Sequence, residues 1–202
     1  KIITIPQVRI QNSEKQQGWT RFENSLNYIK QVVELKSQCD NKDLQEIAQT
    51  YLLMLNDTVF IDEIKNEYNI YSYNIEHIVY KVLNTYAEKL RAIDDDYFKE
   101  RAFDITDIFT KVIYHMMGFK ERDFEDIPAG SIIVANNIQP SDAIEIFKQK
   151  INGIVSNEGG INSHLSILAR SYNIPFIFGV DVLKILQSEK ITKDSFIIID
   201  AE

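Results

Sequence analysis

The sequence predicts an α/β domain with a mostly parallel sheet that carries an inserted all-α helical bundle. Two changes in hydrophobic pattern predict this architecture: apolar residues alternate over residues 2–10, then recur every three or four positions, and finally form short strands between helices. A short N-terminal strand most economically joins the later sheet. We therefore predict that residues 1–18 and 119–202 build one α/β domain and that residues 19–118 build the helical subdomain.

The middle of the chain contains five segments with the periodicity of amphipathic helices. In the first, apolar residues recur from Trp19 to Val33, and Thr20 with Glu23 has the spacing of a capping box near its start. The other four helices are predicted to begin near Lys42, at Asp57, after Asn74 and after the acidic run 94–96, and Gly118 ends the last. Helices of this length joined by short connectors pack most easily as an antiparallel bundle.

The C-terminal part of the chain alternates strands with helices. The predicted strands are "SIIVA", "GIVSN", "PFIFG" and "SFIIID", and helices are predicted from Ser141, behind the glycine pair 159–160, and from Asp181. This alternation predicts parallel strands flanked by helices. Ligands bind to such sheets where the strand ends enter turns, and His164 lies in one of those turns.

His164 combines two features of a phosphoryl acceptor. Gly159 and Gly160 free the backbone for a tight turn, and a helix is predicted to begin near Ser163, which places His164 in its first turn. A helix N-terminus favours a neutral imidazole, whose free lone pair is a nucleophile, and it also attracts phosphate. From the residues alone, two interpretations stay open: a solvated histidine at a helix start, or a histidine that accepts a phosphoryl group.

The net charge of the chain distinguishes between nucleic acids and proteins as partners. The formal net charge is -8 at pH 7, which argues against nucleic-acid binding because phosphate backbones are bound by clusters of lysine and arginine. Residues 19–118 hold most of the acidic excess. This acidic helical region is either an ordinary solvated surface or a docking surface for a basic protein.

The sequence gives no indication of a membrane segment, a secretion signal or a metal site. Apolar runs stay well below the roughly 18 residues of a membrane span, and Cys39 is the single cysteine, so a cytoplasmic location is predicted. His77 and His115 each stand alone in a predicted helix, without a second histidine or cysteine at metal-ligand spacing. The chain starts at Lys1 and stops just after an apolar strand, which predicts a segment of a longer protein.

Four stretches of the chain resemble known enzymes. "GGINSHLSILARSYNIPFIFG" resembles the phosphohistidine segment of enzymes that use phosphoenolpyruvate (PEP), where two glycines precede a Thr-Ser-His motif, a helix and a proline-containing strand. "DDDYFKERAFDITDIFTKVIYHMMG" is similar to the last long helix of the helical subdomain in enzyme I of the PEP-dependent sugar phosphotransferase system. "YLLMLND" resembles the helix of that family that faces the carrier protein HPr, and "NNIQPSDAI" resembles the loop leading to the histidine pocket.

The resemblance implies a phosphohistidine (swivelling) α/β domain with an inserted HPr-binding bundle, in a cytoplasmic enzyme of sugar transport. It implies that His164 is the catalytic residue, which accepts a phosphoryl group originating from PEP and transfers it to a histidine of HPr. The implied phosphate pocket consists of Gly159, Gly160, Asn162 and Ser163. The second implied partner is the enzyme's own C-terminal PEP-binding domain. Magnesium is expected only in that domain, so no cofactor is expected in this segment.

The resemblance also implies an HPr docking surface on the acidic bundle, because HPr typically carries a positive surface around its own histidine. The residues predicted to form this surface are Tyr51, Leu53, Met54, Asp57, Phe98 and Arg101. We expect the isolated segment to exchange phosphoryl groups with phosphorylated HPr but not to react with PEP.

Positions near the histidine depart from the pattern of the family. Ile161 stands where a basic residue is usual, Asn162 replaces threonine, and Leu165 replaces a small or hydroxyl-bearing residue. Ala143 also replaces threonine, whereas Arg170 fits the pattern as either a structural ion pair or a phosphate contact. Losing one charge-assisted contact is worth roughly 1.5–3 kcal/mol, which would slow transfer about ten- to a hundredfold. Two alternatives follow: a docking or regulatory module with impaired phosphotransfer, or the nitrogen-related paralogue of enzyme I.

Overall fold

The computed structural model describes residues 5–38, 41–119, 124, 126–160, 163–182 and 184 of the chain. The chain divides into two compact units, Lys1–Glu121 and Arg122–Glu202. In the described residues the first unit is built of helices, and the second combines helices with a three-stranded parallel sheet. This agrees with the predicted fold class of an α/β domain that carries an all-α bundle.

The described residues of the first unit form five long helices and one short 3-10 helix. The 3-10 helix Asn12–Glu14 leads into α1 Lys15–Ser37, which is followed by α2 Lys42–Leu55, α3 Thr58–Ile70, α4 Ile75–Arg91 and α5 Asp96–Met116. Helix α5 packs against α1, α2 and α4, and α3 packs against α4. Within the described ranges, none of the helices has the length and apolar character needed to cross a membrane.

The core of the bundle consists of the apolar residues that recur at helical spacing. Phe60 of α3 is fully buried, and its ring centroid lies 4.7 Å from that of Phe109 and 5.2 Å from that of Tyr86. Other fully buried side chains of this unit are Phe22, Ile29, Leu44, Leu55, Ile64, Ile78, Leu83 and Ile108. Burial of each such side chain contributes about 1.5–3 kcal/mol, so these apolar faces hold the bundle together. The predicted apolar faces of the helices are confirmed.

Helix α1 begins earlier than its apolar pattern indicates. The helix starts at Lys15, and Thr20 lies in its interior, where its hydroxyl donates to the carbonyl of Gln16 at 3.0 Å. The predicted capping box of Thr20 with Glu23 is therefore wrong. The reciprocal bond forms further upstream, where the carboxylate of Glu14 accepts from the amide of Gln11 at 2.7 Å. The first three residues of the helix, Lys15 to Gln17, are polar, so apolar periodicity gives no signal there.

The N-terminal segment pairs with the helical unit, in contrast to our prediction that residues 1–18 join the α/β sheet. Arg9 forms an antiparallel bridge with Tyr73, and backbone hydrogen bonds of 3.1 and 2.9 Å flank this bridge. The extended connector between α3 and α4 supplies these partners because its backbone groups are not bonded within either helix. The prediction is corrected for residues 5–18, and residues 1–4 lie outside the described residues.

The second unit alternates strands and helices. Its elements are β1 Ile132–Ala135, α6 Pro140–Ile146, β2 Gly153–Ser156, α7 His164–Ser171 and β3 Phe176–Ile177. The strands are parallel in the order β1-β2-β3, with Ile133 opposite Ile154 and Val155 opposite Ile177. Helix α6 contacts α7. The strands predicted in "SIIVA", "GIVSN" and "PFIFG" are confirmed, whereas "SFIIID" and most of the helix predicted from Asp181 lie outside the described residues.

The C-terminal end of α7 is closed by a left-handed residue. Asn173 has a φ of 52°, a conformation that asparagine tolerates better than most residues. The amide of Ile174 then donates to the carbonyl of Ala169 at 2.8 Å, which satisfies one of the last helical carbonyls. This closure directs the chain from α7 into β3.

Candidate functional site

The carboxyl ends of the three strands are tied together by backbone and side-chain hydrogen bonds of Asn157. Its amide donates to the carbonyl of Ala135 at 3.3 Å, and its own carbonyl accepts from the amide of Gly179 at 3.1 Å. Its side-chain amide donates to the side-chain oxygen of Asn136 at 3.1 Å. The residue that follows β2 therefore fixes the exits of β1 and β3 as well. This network holds the start of the glycine turn in place.

Gly159 is required in this turn by a close approach of neighbouring residues. A Cβ atom at position 159 would lie 2.7 Å from the Cβ of Phe178 and 3.1 Å from the Cζ of Phe176. At Gly160, a Cβ would have no atom of the described residues within 4 Å. Position 159 therefore has no room for a Cβ atom, whereas position 160 has room for one.

His164 is the first residue of α7, and Ser163 is its N-cap. The hydroxyl oxygen of Ser163 accepts from the amide of Ser166 at 3.3 Å, and the amide of Ser163 donates to the carbonyl of Gly160 at 3.1 Å. The predicted helix start near Ser163 is therefore confirmed. The first-turn amides of a helix carry partial positive charge and lack intrahelical acceptors, so this end of α7 suits an anion.

The predicted phosphate pocket is described in part. Gly159, Gly160 and Ser163 all lie on the turn that leads from β2 into α7, so the structure brings these three residues together. Outside the described residues lie Ile161, Asn162 and the side chain of His164. The chemical roles assigned to this pocket stay predictions.

Sequence reasoning missed two groups that shape this turn. Ser166 is 6% exposed, and its hydroxyl donates to the carbonyl of Gly160. Asn136 and Asn157 join the ends of β1 and β2. Both groups leave a signal in the sequence, because Ser163 and Ser166 have capping-box spacing and an asparagine directly follows each of the first two strands.

The departures from the family pattern that the structure describes are packing residues. Leu165 is buried on α7, and Ala143 is fully buried on α6, which contacts α7. Apolar side chains at these positions thus contribute to the core of the second unit. Arg170 donates from Nε to the carbonyl of Ser166 at 3.2 Å, so part of its guanidinium is bonded to its own helix.

The predicted docking residues of α2 and α3 differ in exposure. Tyr51 is 1% exposed, and its hydroxyl donates to the carboxylate of Asp107 at 2.7 Å, so its place on a docking surface is corrected to a place in the core. Leu53 is 75% exposed, and Met54 beside it is half-buried. Asp57 is the N-cap of α3, and its carboxylate accepts from two backbone amides at 2.9 and 3.2 Å.

The predicted docking residues of α5 are partly engaged within the unit. Arg101 forms an ion pair of 3.1 Å with the buried Asp104, and its guanidinium lies 4.9 Å from the ring centroid of Tyr97. The half-buried Phe98 packs edge-on against the same Tyr97 ring. Because α5 packs against α2, both sets of residues belong to one compact unit. Exposed apolar Val59 in the first turn of α3 was not predicted for this surface.

The two histidines of the helical unit, His77 and His115, each pack against a tyrosine ring. His115 stacks on Tyr28 with ring centroids 4.2 Å apart, and its Nδ1 lies 2.9 Å from the hydroxyl of Ser25. His77 packs edge-on against Tyr73. Burial, and secondarily the charge of Lys81, lowers the pKa of His77 from its ordinary value of 6.5. Among the described residues, no cluster of three or more histidine, cysteine, aspartate or glutamate side chains has the arrangement of a metal site.

Acidification is expected to destabilise the helical unit through His77. Because the pKa of His77 is lower in the folded chain, the unfolded chain binds this proton more readily below pH 6.5, and the free energy of unfolding falls as the pH decreases through that range. Between about pH 7.5 and about pH 5.5, the unsubstituted chain should lose more stability in urea denaturation than His77→Gln. Equal losses would contradict this prediction.

Two family models match the chain. The model described as PEP-utilising enzyme, N-terminal, matches residues 2–101, and the model described as PEP-utilising enzyme, mobile domain, matches residues 127–202. The second match includes the glycine turn, Ser163 and His164. The order of the two matches follows the order of the two structural units.

Curated relatives carry the name phosphoenolpyruvate-protein phosphotransferase. The chain is 28% identical to the protein of Buchnera aphidicola over 100% of this chain and 35% of the relative. It is 31% identical to the protein of Priestia megaterium over 79% of this chain and 28% of the relative, and 32% identical to that of Haemophilus influenzae over 77% and 26%. The chain thus spans about a third or less of the length of these relatives.

Solved structures give the same result for the fold. The chain matches the NMR solution structure of Enzyme I with a TM-score of 0.73 and 25% identity, over 89% of this chain and 74% of that chain. It matches the N-terminal domain of Enzyme 1 - Nitrogen with a TM-score of 0.56 and 23% identity, over 88% and 73% respectively, which is a likeness of fold alone. The chain therefore belongs to the family of PEP-utilising enzymes, and within it corresponds to the N-terminal part of enzyme I, the phosphoenolpyruvate-protein phosphotransferases.

Proposed function

We propose that His164 takes up a phosphoryl group that originates from PEP and transfers it to a histidine of the carrier protein HPr. The observation that carries this proposal is the position of His164, which opens helix α7 directly behind the glycine turn at the carboxyl end of β2. The names of the curated relatives support it, because they describe the transfer of phosphate from PEP to a protein.

The chemistry needs a neutral imidazole and a site for phosphate. A helix N-terminus supplies both conditions, since its partial positive charge disfavours an imidazolium and its amides can bond phosphate oxygens. In the step with HPr, the lone pair of one imidazole nitrogen attacks phosphorus, one P–N bond forms on the acceptor, and the P–N bond of the donor breaks. The donor imidazole leaves with that electron pair, so the reaction is balanced and reversible. Phosphoryl transfer of this kind depends mainly on positioning and charge neutralisation.

We assign HPr docking to the helical unit, which holds most of the acidic excess of the chain. The exposure of Leu53 at the end of α2 and of Val59 at the start of α3 supports a small apolar contact on this unit. A basic partner would be attracted by the charge and held by these apolar side chains. Asp57, which caps α3 between them, orients the two helix ends.

Binding of HPr is expected to weaken when Leu53 is truncated. We expect Leu53→Ser to lower the affinity for HPr about five- to tenfold. The substitution removes apolar area from the interface, and this loss weakens the binding free energy by about 1–1.4 kcal/mol. Isothermal titration calorimetry measures this change. Thermal stability should be unaffected, since Leu53 is 75% exposed in the chain itself.

Leu35 provides the matched control for this prediction. It is 68% exposed on α1 and was not predicted to contact HPr. The variant Leu35→Ser should therefore bind HPr as the unsubstituted chain does. If both variants lose affinity equally, or if neither does, the assignment of the surface to the ends of α2 and α3 is wrong.

We assign the PEP site and its magnesium to a C-terminal domain of a longer enzyme, which would then be the second partner of this chain. The curated relatives support this assignment, because the chain corresponds to only 35% or less of their length. In that arrangement the second unit of this chain receives the phosphoryl group, and the first unit recruits the acceptor protein.

The experiment that tests the proposed function mixes the chain with phosphorylated HPr and measures two quantities. Acid-labile phosphate on the chain reports transfer, and calorimetry with unphosphorylated HPr reports docking. We expect both transfer and binding, with binding weakened at high salt because the surface is charged. Binding without transfer would favour the docking or regulatory alternative, and absence of both would favour a different carrier, as in the nitrogen-related paralogue.

A further inference from the structure

We propose that Ser166 is a positioning residue for His164, because its buried hydroxyl, together with that of Ser163, fixes the carbonyl of Gly160 in the turn that delivers the histidine. This inference rests on the proposed function, since positioning of His164 matters for transfer only if His164 is the acceptor. Neither serine needs to touch the phosphoryl group for this role.

Three donor groups of the described residues lie within hydrogen-bond distance of the carbonyl oxygen of Gly160. The amide of Ser163 lies 3.1 Å from this oxygen and the hydroxyl of Ser163 lies 2.8 Å from it, and the hydroxyl of Ser166 donates to it as well. Ser166 reaches back six residues along the chain, past the N-cap of α7, to make this contact. These contacts form a hydrogen-bonded ring of Gly160, Ser163 and Ser166, and His164 lies in the helical turn between the two serines.

The two hydroxyls are also linked to each other. Their oxygens are 3.1 Å apart, and the hydroxyl oxygen of Ser163 accepts from the amide of Ser166 at 3.3 Å. Each hydroxyl carries one hydrogen, and in this ring that of Ser166 is directed to Gly160, while that of Ser163 is directed to Gly160 or to Ser166. Hydrogen bonds arranged in such a chain strengthen one another.

In this arrangement the side chain of Ser163, a residue of the predicted pocket, has a structural role. Its hydroxyl acts as the helix cap and bonds the carbonyl of Gly160, and its amide donates to the same carbonyl, so both groups of Ser163 are used within the turn itself. The backbone amides at the start of α7 are then the group that meets the phosphate, and their direction depends on the ring staying closed. Ser166 keeps it closed from a buried position, 6% exposed, where solvent does not replace its bond.

The test compares Ser166→Ala with Ser171→Ala in the full 202-residue chain. Ser171 lies on the same helix, and its hydroxyl donates to the carbonyl of Leu168 at 3.0 Å, away from the turn. We expect Ser166→Ala to lower the single-turnover rate of transfer from phosphorylated HPr about tenfold, the effect typical of losing a group that orients a reactive side chain. The concentration of phosphorylated HPr that gives half the maximal rate should be unchanged. Ser171→Ala should match the unsubstituted chain in both quantities.

Amide hydrogen exchange supplies a readout that does not depend on transfer. In Ser166→Ala the amide of Ser163, which donates to Gly160, should exchange about tenfold faster, while the amide of Ile174 at the far end of α7 should be unchanged. An unchanged transfer rate in Ser166→Ala, or equally faster exchange at both amides, would overturn the proposal. If the unsubstituted chain takes up no phosphate, the proposed function fails, whereas the exchange measurement still decides whether Ser166 holds the turn.

Discussion

Gly159→Ala is expected to slow phosphoryl transfer about ten- to a hundredfold and to lower the free energy of unfolding of the second unit by about 1–3 kcal/mol. The added Cβ would lie 2.7 Å from the Cβ of Phe178, a distance that real Cβ contacts essentially never show. A Cβ atom is fixed to the backbone and cannot rotate away. Either the turn before His164 or the segment after β3 must therefore move.

The two effects of Gly159→Ala are measured by single-turnover transfer from phosphorylated HPr and by urea denaturation. Gly160→Ala is the control for stability, because its Cβ meets no atom of the described residues within 4 Å and should cost little. A Gly159→Ala variant with unchanged stability and an unchanged rate would show that the turn tolerates the side chain. The close approach would then have no influence on the site.

Gly18→Ala is expected to destabilise the helical unit by up to about 2 kcal/mol, although glycine is a poor helix former. In an exposed helix interior, replacing glycine with alanine would stabilise by about 0.8–1 kcal/mol. Here the added Cβ would overlap the hydroxyl of Tyr68 and lie 3.2 Å from its Cζ. Tyr68 is buried between α1 and its neighbours, so the cost of overpacking, about 1–3 kcal/mol, exceeds the gain in helix propensity.

Tyr68→Phe should rescue Gly18→Ala. The hydroxyl of Tyr68 is buried and has no hydrogen-bond partner in the described part of the chain, so its removal costs little by itself. In urea denaturation the double variant should be more stable than Gly18→Ala by at least about 1 kcal/mol, whereas Gln17→Ala, at an exposed neighbouring position, should change little. Additive effects of the two substitutions would contradict the proposed overlap.

The fold was predictable wherever apolar spacing and capping residues agree. Helix α2 begins at Lys42 as predicted, because Asn41 caps its start and accepts from the amide of Leu44 at 3.1 Å. The start of α1 was not predictable in this way, since its first turn is polar. The pairing of Arg9 with Tyr73 was not predictable either, because it joins segments far apart in sequence.

The candidate site shows the same division between local and distant information. Sequence located the glycine turn and the helix start at Ser163, since both depend on neighbouring residues. The contact of Gly159 with Phe178 crosses from β2 to β3 and has no local signal. Tyr51 was assigned to the docking surface from the family resemblance. Its position on the apolar face of α2 indicates the core instead, and the buried side chain agrees with that periodicity.

The identity of the phosphorylated residue tests the central claim most directly. The chain has three histidines, so incubation with phosphorylated HPr, followed by peptide mapping at alkaline pH, can distinguish them completely. We expect acid-labile phosphate on His164, complete loss of label in His164→Ala, and retained label in His77→Gln and His115→Gln. Label that persists in His164→Ala, or that maps to His77 or His115, would contradict the claim.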